Sequence, residues 1–495
     1  MSGAAGGAHA AHRFVWGTHI EGRKPRGLHD RMPLTTTSRR RTAALTATLA
    51  LALGGALAAA TPAAADKPHG GHCARLAKIA VPGAELQEVA CLADLTTAGT
   101  VASGHTNPND WAGLHAAGTT NPSGVPGIQV DGYFPDTSTT NANNGWRHDS
   151  QFVIRIPDDW NGGLVISGAP GVRGQYANDF IIGDWVLAKG YAFASTDKGN
   201  TGAAFYDDGS APGGSIAEWH SRVTQLTIAT KRVVKQVYAA APQRTYLFGI
   251  SNGGYLARWQ LENRPDLYDG GLDWEGTLFR ADGPNLLTYL PTAIRNYPAY
   301  AATGDQAAHD AIIGAGFAAG SEFLWPFHEA VYWDLTQRIY REELDPTFDG
   351  DLKAGIPFCA SGTPSCDADY EYAARPAAVK RAVASVQLTG KIGKPMLTVQ
   401  GTLDTLLPPA TDADVYEQLV DDAGSGALHR YYRVEDGTHT DGLYAAYPDR
   451  LRPLLPCART AFDDLTAWVE DGVQPPADGL RPRPAVGDLV NTCEL

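Results

Sequence analysis

The chain has 495 residues, of which 43% are hydrophobic and 19% charged, with 55 Gly and 32 Pro. That composition is globular and excludes collagen-like or wholly disordered architecture. The balance of 40 Lys+Arg against 54 Asp+Glu gives a formal net charge of -14, which argues against nucleic acid or anionic membrane as a partner.

The first 65 residues read as an export signal. Arg39, Arg40 and Arg41 precede an apolar run from Ala43 to Ala60, which ends in Thr61-Pro62-Ala63-Ala64-Ala65. A basic stretch, an Ala/Leu-rich stretch and an Ala-x-Ala end predict cleavage after Ala65. Met32 is the expected true start, with residues 1–31 an upstream extension. The adjacent arginines leave general secretory and twin-arginine export both open. Without residues 1–65 the chain keeps 32 basic and 52 acidic residues, a net charge of -20 over 430 residues. No later run is long and apolar enough for a bilayer. A secreted, extracellular product with no membrane association is expected.

Six cysteines follow the cleavage point, and an even number in an exported chain predicts disulfides. Fifteen pairings exist for six cysteines. Nearest-neighbour pairing would give Cys73–Cys91, Cys359–Cys366 and Cys457–Cys493. None has zinc-ligand spacing with nearby His.

Residues 66–150 are rich in Gly, Thr, Asn and Pro and read as an irregular N-terminal layer. Strands and helices then alternate, which predicts a mostly parallel sheet flanked by helices. The expected strands are Phe152–Pro157, Leu164–Ser167, Tyr191–Thr196, Thr245–Ile250, Gly271–Trp274, Met396–Gln400 and Arg430–Val434. A helix is expected from Ser215 to Ala240, where Val223, Leu226, Val233, Val234 and Val237 recur at helical spacing. Another is expected from Ala458 to Asp471. From 284 to 385 the strand pattern lapses into helical, aromatic-rich sequence, read as a lid insertion. The core would then be 151–283 and 386–475, with 476–495 a tail.

The strongest chemical signal is Gly249-Ile250-Ser251-Asn252-Gly253-Gly254, a G-x-S-x-G between an apolar strand and a helical segment, Tyr255 to Asn263. A sharp strand-to-helix turn puts Ser251 at its apex, and side chains at 249 and 253 would collide, so both are Gly. A serine hydroxyl needs a general base, and the base an orienting acid. On such a sheet they follow in the order Ser, acid, His. Asp404 lies just past the strand Met396–Gln400, and His439 on a Gly-flanked loop past Arg430–Val434. Glu435, Asp436 and Asp441 are alternative acids; His328 and His429 are weaker candidates for the base. The oxyanion needs two preorganised N–H donors. The Asn252 N–H is one. The loop Gly168-Ala169-Pro170-Gly171 supplies the other, Ala169 ahead of Gly171 because Pro170 has no N–H.

These motifs, in order, resemble the tannase and feruloyl esterase type of α/β-hydrolase. The resemblance runs through Cys73-Ala74-Arg75-Leu76-Ala77, Val81-Pro82-Gly83, Ile156-Pro157-Asp158-Asp159-Trp160-Asn161-Gly162 and Ser195-Thr196-Asp197-Lys198-Gly199. It continues at the Ser251 turn, Tyr268-Asp269-Gly270, the Asp404 turn and Ala467-Trp468-Val469-Glu470. Ser251-Asn252-Gly253-Gly254 is also similar to the 3-hydroxybutyrate oligomer hydrolases. The resemblance implies an α/β-hydrolase fold with an inserted lid and hydrolysis of carboxylic esters. Tannases and feruloyl esterases place a Cys before the nucleophile and another after the catalytic His, joined as a disulfide. Ile250 and Thr440 stand there in this chain. That departure weakens an aromatic-ester assignment within the family.

The expectation is a secreted serine esterase without cofactor, acting on a small-molecule or oligomeric ester. The rivals are a serine peptidase on the same fold and a secreted binding protein without catalysis. Oligomeric state is not legible. Trp274, Glu275, Trp325 and Trp333, with Tyr332, are candidate pocket residues, set against plain core packing. Asp345, Asp349 and Asp351 are a weak Ca²⁺ candidate against a solvated acidic turn.

Overall fold

The computed structural model describes Cys73 and residues 79–348 and 367–495. These lie in the compact unit Asp66–Leu495. The expected export signal, the expected Cys359–Cys366 pair, Asp349 and Asp351 lie outside the described residues. Among the described residues no helix is long and apolar enough to cross a membrane.

Ten strands of the described residues form one sheet: β1 Leu86–Leu92, β2 Gly127–Tyr133, β3 Gln151–Pro157, β4 Gly163–Gly168, β5 Ala192–Thr196, β6 Arg244–Ile250, β7 Gly270–Trp274, β8 Met396–Gly401, β9 His429–Val434 and β10 Gly479–Arg481. Their order is β1-β2-β3-β5-β4-β6-β7-β8-β9-β10. β1 to β3 and the β3–β5 pair are antiparallel, and β4 to β10 run parallel. The exchange of β4 and β5, followed by an ordered parallel run, is the α/β-hydrolase sheet.

All seven expected strands are present. Val165, Phe193, Phe248, Leu272 and Leu397 are buried on one face, and Leu164, Ile166, Ala194 and Leu247 on the other. Sequence covered on both faces gives near-continuous apolar strands rather than alternating ones. Helix α1, Gly214–Tyr238, and helix α2, Asn252–Asn263, cover one face through Val223, Leu226, Val233, Leu256 and Leu261. Helices α3, Leu286–Thr303, and α4, Asp334–Leu344, belong to the inserted segment. Helix α5, Leu455–Asp471, covers the opposite face through Ala458, Ala461, Phe462 and Leu465. It opens with a Pro in its first turn and ends at Gly472 with φ 71°, a start and a stop written in the sequence.

Two readings change. The described part of 66–150 is not wholly irregular: it supplies the antiparallel strands β1 and β2. The tail is likewise ordered, because β10 extends the sheet beside β9. Disulfides join Cys73 to Cys91 and Cys457 to Cys493, as nearest-neighbour pairing requires. The first ties the N-terminal stretch to β1, the second the tail to α5. From Pro284 to Ser385 the described residues contain helices and turns but no strand.

Candidate active site

Register brings the carboxyl ends of four adjacent strands together. Ile250 of β6 pairs with Trp274 of β7, Trp274 with Val399 of β8, and Gly401 of β8 with Val434 of β9. Ser251 follows β6 directly, Glu275 follows β7 directly, and Asp404 and His439 sit on the loops after β8 and β9. Ligands of open α/β sheets bind at this edge.

Ser251 sits at φ 57°, ψ -121°, a strained conformation for a residue with a side chain. Its N–H donates to the Trp274 carbonyl at 2.9 Å. The turn closes only because its neighbours are small. A Cβ on Gly249 would lie 2.3 Å from the Gly253 carbonyl carbon, and one on Gly253 2.5 Å from the Gly168 oxygen. Ser251 is half-buried, whereas Asp404 and His439 are buried.

The three predicted residues meet. The Ser251 hydroxyl lies 3.1 Å from His439 Nε2, and His439 Nδ1 lies 2.8 Å from Asp404 Oδ2. The carboxylate fixes the tautomer: Nδ1–H donates to Asp404, which leaves Nε2 to accept from Ser251. Asp404 is itself anchored. Its Oδ1 accepts the Leu406 and Leu407 N–H groups at 2.8 and 2.9 Å, and its Oδ2 accepts Gln400 Nε2 at 3.2 Å. Asp441 holds the other side of the His439 loop, accepting the N–H groups of Leu454 and Leu455 at the start of α5.

The remaining acid and base candidates are engaged elsewhere. Glu435 accepts the Arg483 N–H, and Asp436 lies 3.8 Å from the Arg483 guanidinium. His429 Nε2 pairs with the Thr398 hydroxyl at 2.9 Å. His328 is buried near Asp404 and His439, and burial pushes its pKa down to about 3, so it stays neutral.

The oxyanion expectation needs one correction. The Ala169 N–H donates to the Thr196 carbonyl at 2.9 Å, continuing the β4–β5 pairing past the strand end, and so is not a donor for substrate. Gly171 is the next N–H on the loop, at φ 50°. Asn252 aligns it: Nδ2 donates to the Gly171 carbonyl at 2.9 Å and to the Tyr340 hydroxyl at 2.6 Å, while Oδ1 accepts from Thr277. The Asn252 N–H belongs to the first turn of α2, where the helix offers it no acceptor.

The pocket candidates also change. Trp274 is fully buried in the core between the sheet and α5, and Trp325 packs within the 284–385 segment against Tyr300 and Trp333. Trp333 is buried too, and its Nε1–H donates to the Thr405 carbonyl at 2.7 Å, beside Asp404. With Tyr340 on Asn252 and Tyr332 on Thr440, the insertion touches three of the loops around Ser251. Asp345 is no open cation ligand: its carboxylate is buried and bound to Arg375, Tyr370 and Thr347. Glu275 is not on a substrate-facing wall. It packs against the His439 ring, with Oε2 3.8 Å from Nδ1.

An α/β-hydrolase sheet with Ser, His and Asp hydrogen-bonded in sequence at its carboxyl edge defines the class of the site. Comparison with known proteins narrows the likeness. Residues 137–274, from the β2–β3 loop to the end of β7 and including the Ser251 turn, match the family model "Tannase and feruloyl esterase". The chain is 26% identical over 140 residues to a mono(2-hydroxyethyl) terephthalate hydrolase of Piscinibacter sakaiensis, covering 26% of this chain and 23% of that protein. It is 30% identical over 126 residues to a probable feruloyl esterase of Arthroderma benhamiae, covering 24% of this chain and 23% of that protein. The alignments thus span under a quarter of these relatives' length. Among solved structures, feruloyl esterase B from Aspergillus oryzae superimposes with a TM-score of 0.46 at 14% identity, covering 81% of this chain and 90% of that one. The resemblance to the tannase and feruloyl esterase family therefore lies in the segment that carries the nucleophile turn. The cysteine departure persists: Ile250 is buried in the core, and Thr440 contacts Tyr332.

Proposed function

We propose that this chain is a secreted serine hydrolase of carboxylic esters. One observation carries the reading: the continuous relay Ser251–His439–Asp404, with bonds of 3.1 and 2.8 Å, on a strained turn at the strand edge. Ser251 Oγ attacks the ester carbonyl while His439 Nε2 takes its proton. The N–H groups of Asn252 and Gly171 face the oxyanion. The tetrahedral intermediate collapses, the alkoxide leaves with the proton from His439, and an acyl-Ser251 remains. Water, deprotonated by His439, then releases the acid and restores Ser251. Asp404 holds the imidazole in register and stabilises its charged form.

The family model and the names of the relatives support an ester rather than an amide substrate. Export is supported by the leader pattern and the two disulfides. The substrate is a small or oligomeric ester, and a panel of hydroxycinnamate, gallate, terephthalate and hydroxybutyrate-oligomer esters identifies the acyl group. Ser251→Ala should keep the fold by circular dichroism and lower turnover of the best ester by about 10³-fold or more. Wild-type turnover in that variant refutes the reading.

A further inference from the structure

Glu275 is a titratable group at this edge that the relay does not use. Its backbone takes φ 49°, a left-handed conformation rare for a residue with a side chain, and its N–H is held by the Val399 carbonyl at 3.0 Å. The turn sends the carboxyl under the histidine, where it is completely buried. Oε1 accepts the Gly401 N–H at 2.9 Å. Oε2 has no hydrogen-bond partner and lies 3.8 Å from His439 Nδ1. Ligating atoms of Glu275, Asp404 and His439 lie within 4.8 Å of one another. Burying an unpartnered carboxyl oxygen is costly, and strained residues of this kind gather at functional sites.

We propose that Glu275 is a reserve positioning acid, a second carboxyl from the neighbouring strand that can orient His439 in place of Asp404. This rests on the relay proposed above. Two carboxyls so close do not both ionise readily. Four N–H donors converge on Asp404 and one on Glu275, so Glu275 is the member of the pair that keeps its proton. Burial and the Asp404 charge both raise the Glu275 pKa well above the carboxylate range. When the Asp404 carboxylate is removed, Glu275 releases its proton to solvent and accepts Nδ1–H. Its Oε2 must close by roughly 1 Å to reach hydrogen-bond distance. The other groups facing this pair are Asp273 on β7, Asp441 on the β9 loop and His328 from the lid.

A double-mutant cycle on an activated aryl ester tests this. Glu275→Gln should lower kcat only a few-fold in the wild-type background, but by about 10²-fold in the Asp404→Ala background, with KM unmoved in both. Asp404→Ala alone should show an acid limb, activity rising with pH as Glu275 ionises, that Asp404→Ala/Glu275→Gln lacks. A merely structural role for Glu275 would not move that limb. Equal cost of Glu275→Gln in the two backgrounds overturns the proposal. So does a loss in Glu275→Gln alone as large as that in Asp404→Ala. If Asp404→Ala fails to fold by circular dichroism, Asp404→Asn carries the same cycle, since its amide oxygen can keep the Leu406 and Leu407 bonds. Failure of the relay itself is distinguishable, because Ser251→Ala would then keep its activity.

Discussion

Gly249 and Gly253 show how a single position fixes the site. A methyl group on either would meet backbone, which cannot step aside as a flexible side chain can. Gly249→Ala should therefore cost about 1–3 kcal/mol of stability, read by urea denaturation, and reduce the folded fraction before it alters chemistry. Asn252 makes a different prediction. Asn252→Ala keeps the backbone N–H but frees the Gly171 carbonyl and Tyr340, so kcat should fall by about 10-fold and the melting temperature by a few degrees. Steady-state kinetics on one ester checks it. Ser251, Asp404 and His439 were legible because each sits in a local signature, just past an apolar strand, in a fixed order. Ala169 was misread because its N–H belongs to the pairing with Thr196, and pairing partners are not written in local sequence. In the sequence Glu275 is legible only as a pocket candidate at a strand end. Its role beside His439 depends on a left-handed turn that no glycine at that position signals.

At the level of elements, the parallel core was legible because strands covered on both faces become continuous apolar runs. β1 and β2 were not. Their sequences, LQEVACL and GIQVDGY, are interrupted by polar residues, and Gly132 suggests a turn. In the sheet Gly132 is instead a site of close approach, where a Cβ would lie 2.4 Å from the Leu86 carbonyl oxygen. The strand-free stretch 284–385 is legible from its lapse in strand pattern, but its tryptophans are ambiguous in sequence. Trp and Tyr bury their rings while their polar tips seek partners, and here Trp333 and Tyr340 reach loops of the site. Trp333→Phe should keep the packing, lose the bond to Thr405, and lower kcat more than it raises KM. Cys493→Ser removes the bridge between α5 and the tail, which spans 36 residues. It should cost about 2–4 kcal/mol in denaturant unfolding.

For the molecule as a whole, buried carboxyls set the response to pH. Burial raises Asp184, Asp441 and Glu343 to about 7. Each holds its proton more tightly folded than unfolded, so the stability it contributes is lost as pH rises through about 7. Burial lowers His220, His328 and His429 to about 3, so these are neutral in the folded state, and the stability they cost is recovered as pH rises through about 6.5. Asp441→Asn should accordingly make the melting temperature fall less steeply between pH 5 and pH 7 than in the wild type, and an unchanged slope would contradict the burial of this carboxyl. Charge is unevenly spread along the chain: residues 1–65 carry eight basic and two acidic residues, and residues 66–495 carry 32 basic against 52 acidic. The central claim is that Ser251 is a nucleophile activated by His439 and held in register by Asp404. Its most direct test is reaction of the intact protein with a fluorophosphonate, followed by peptide mass mapping. One adduct per chain is expected, on Ser251, and none in His439→Ala. An unmodified Ser251 in protein that still turns over ester would contradict it.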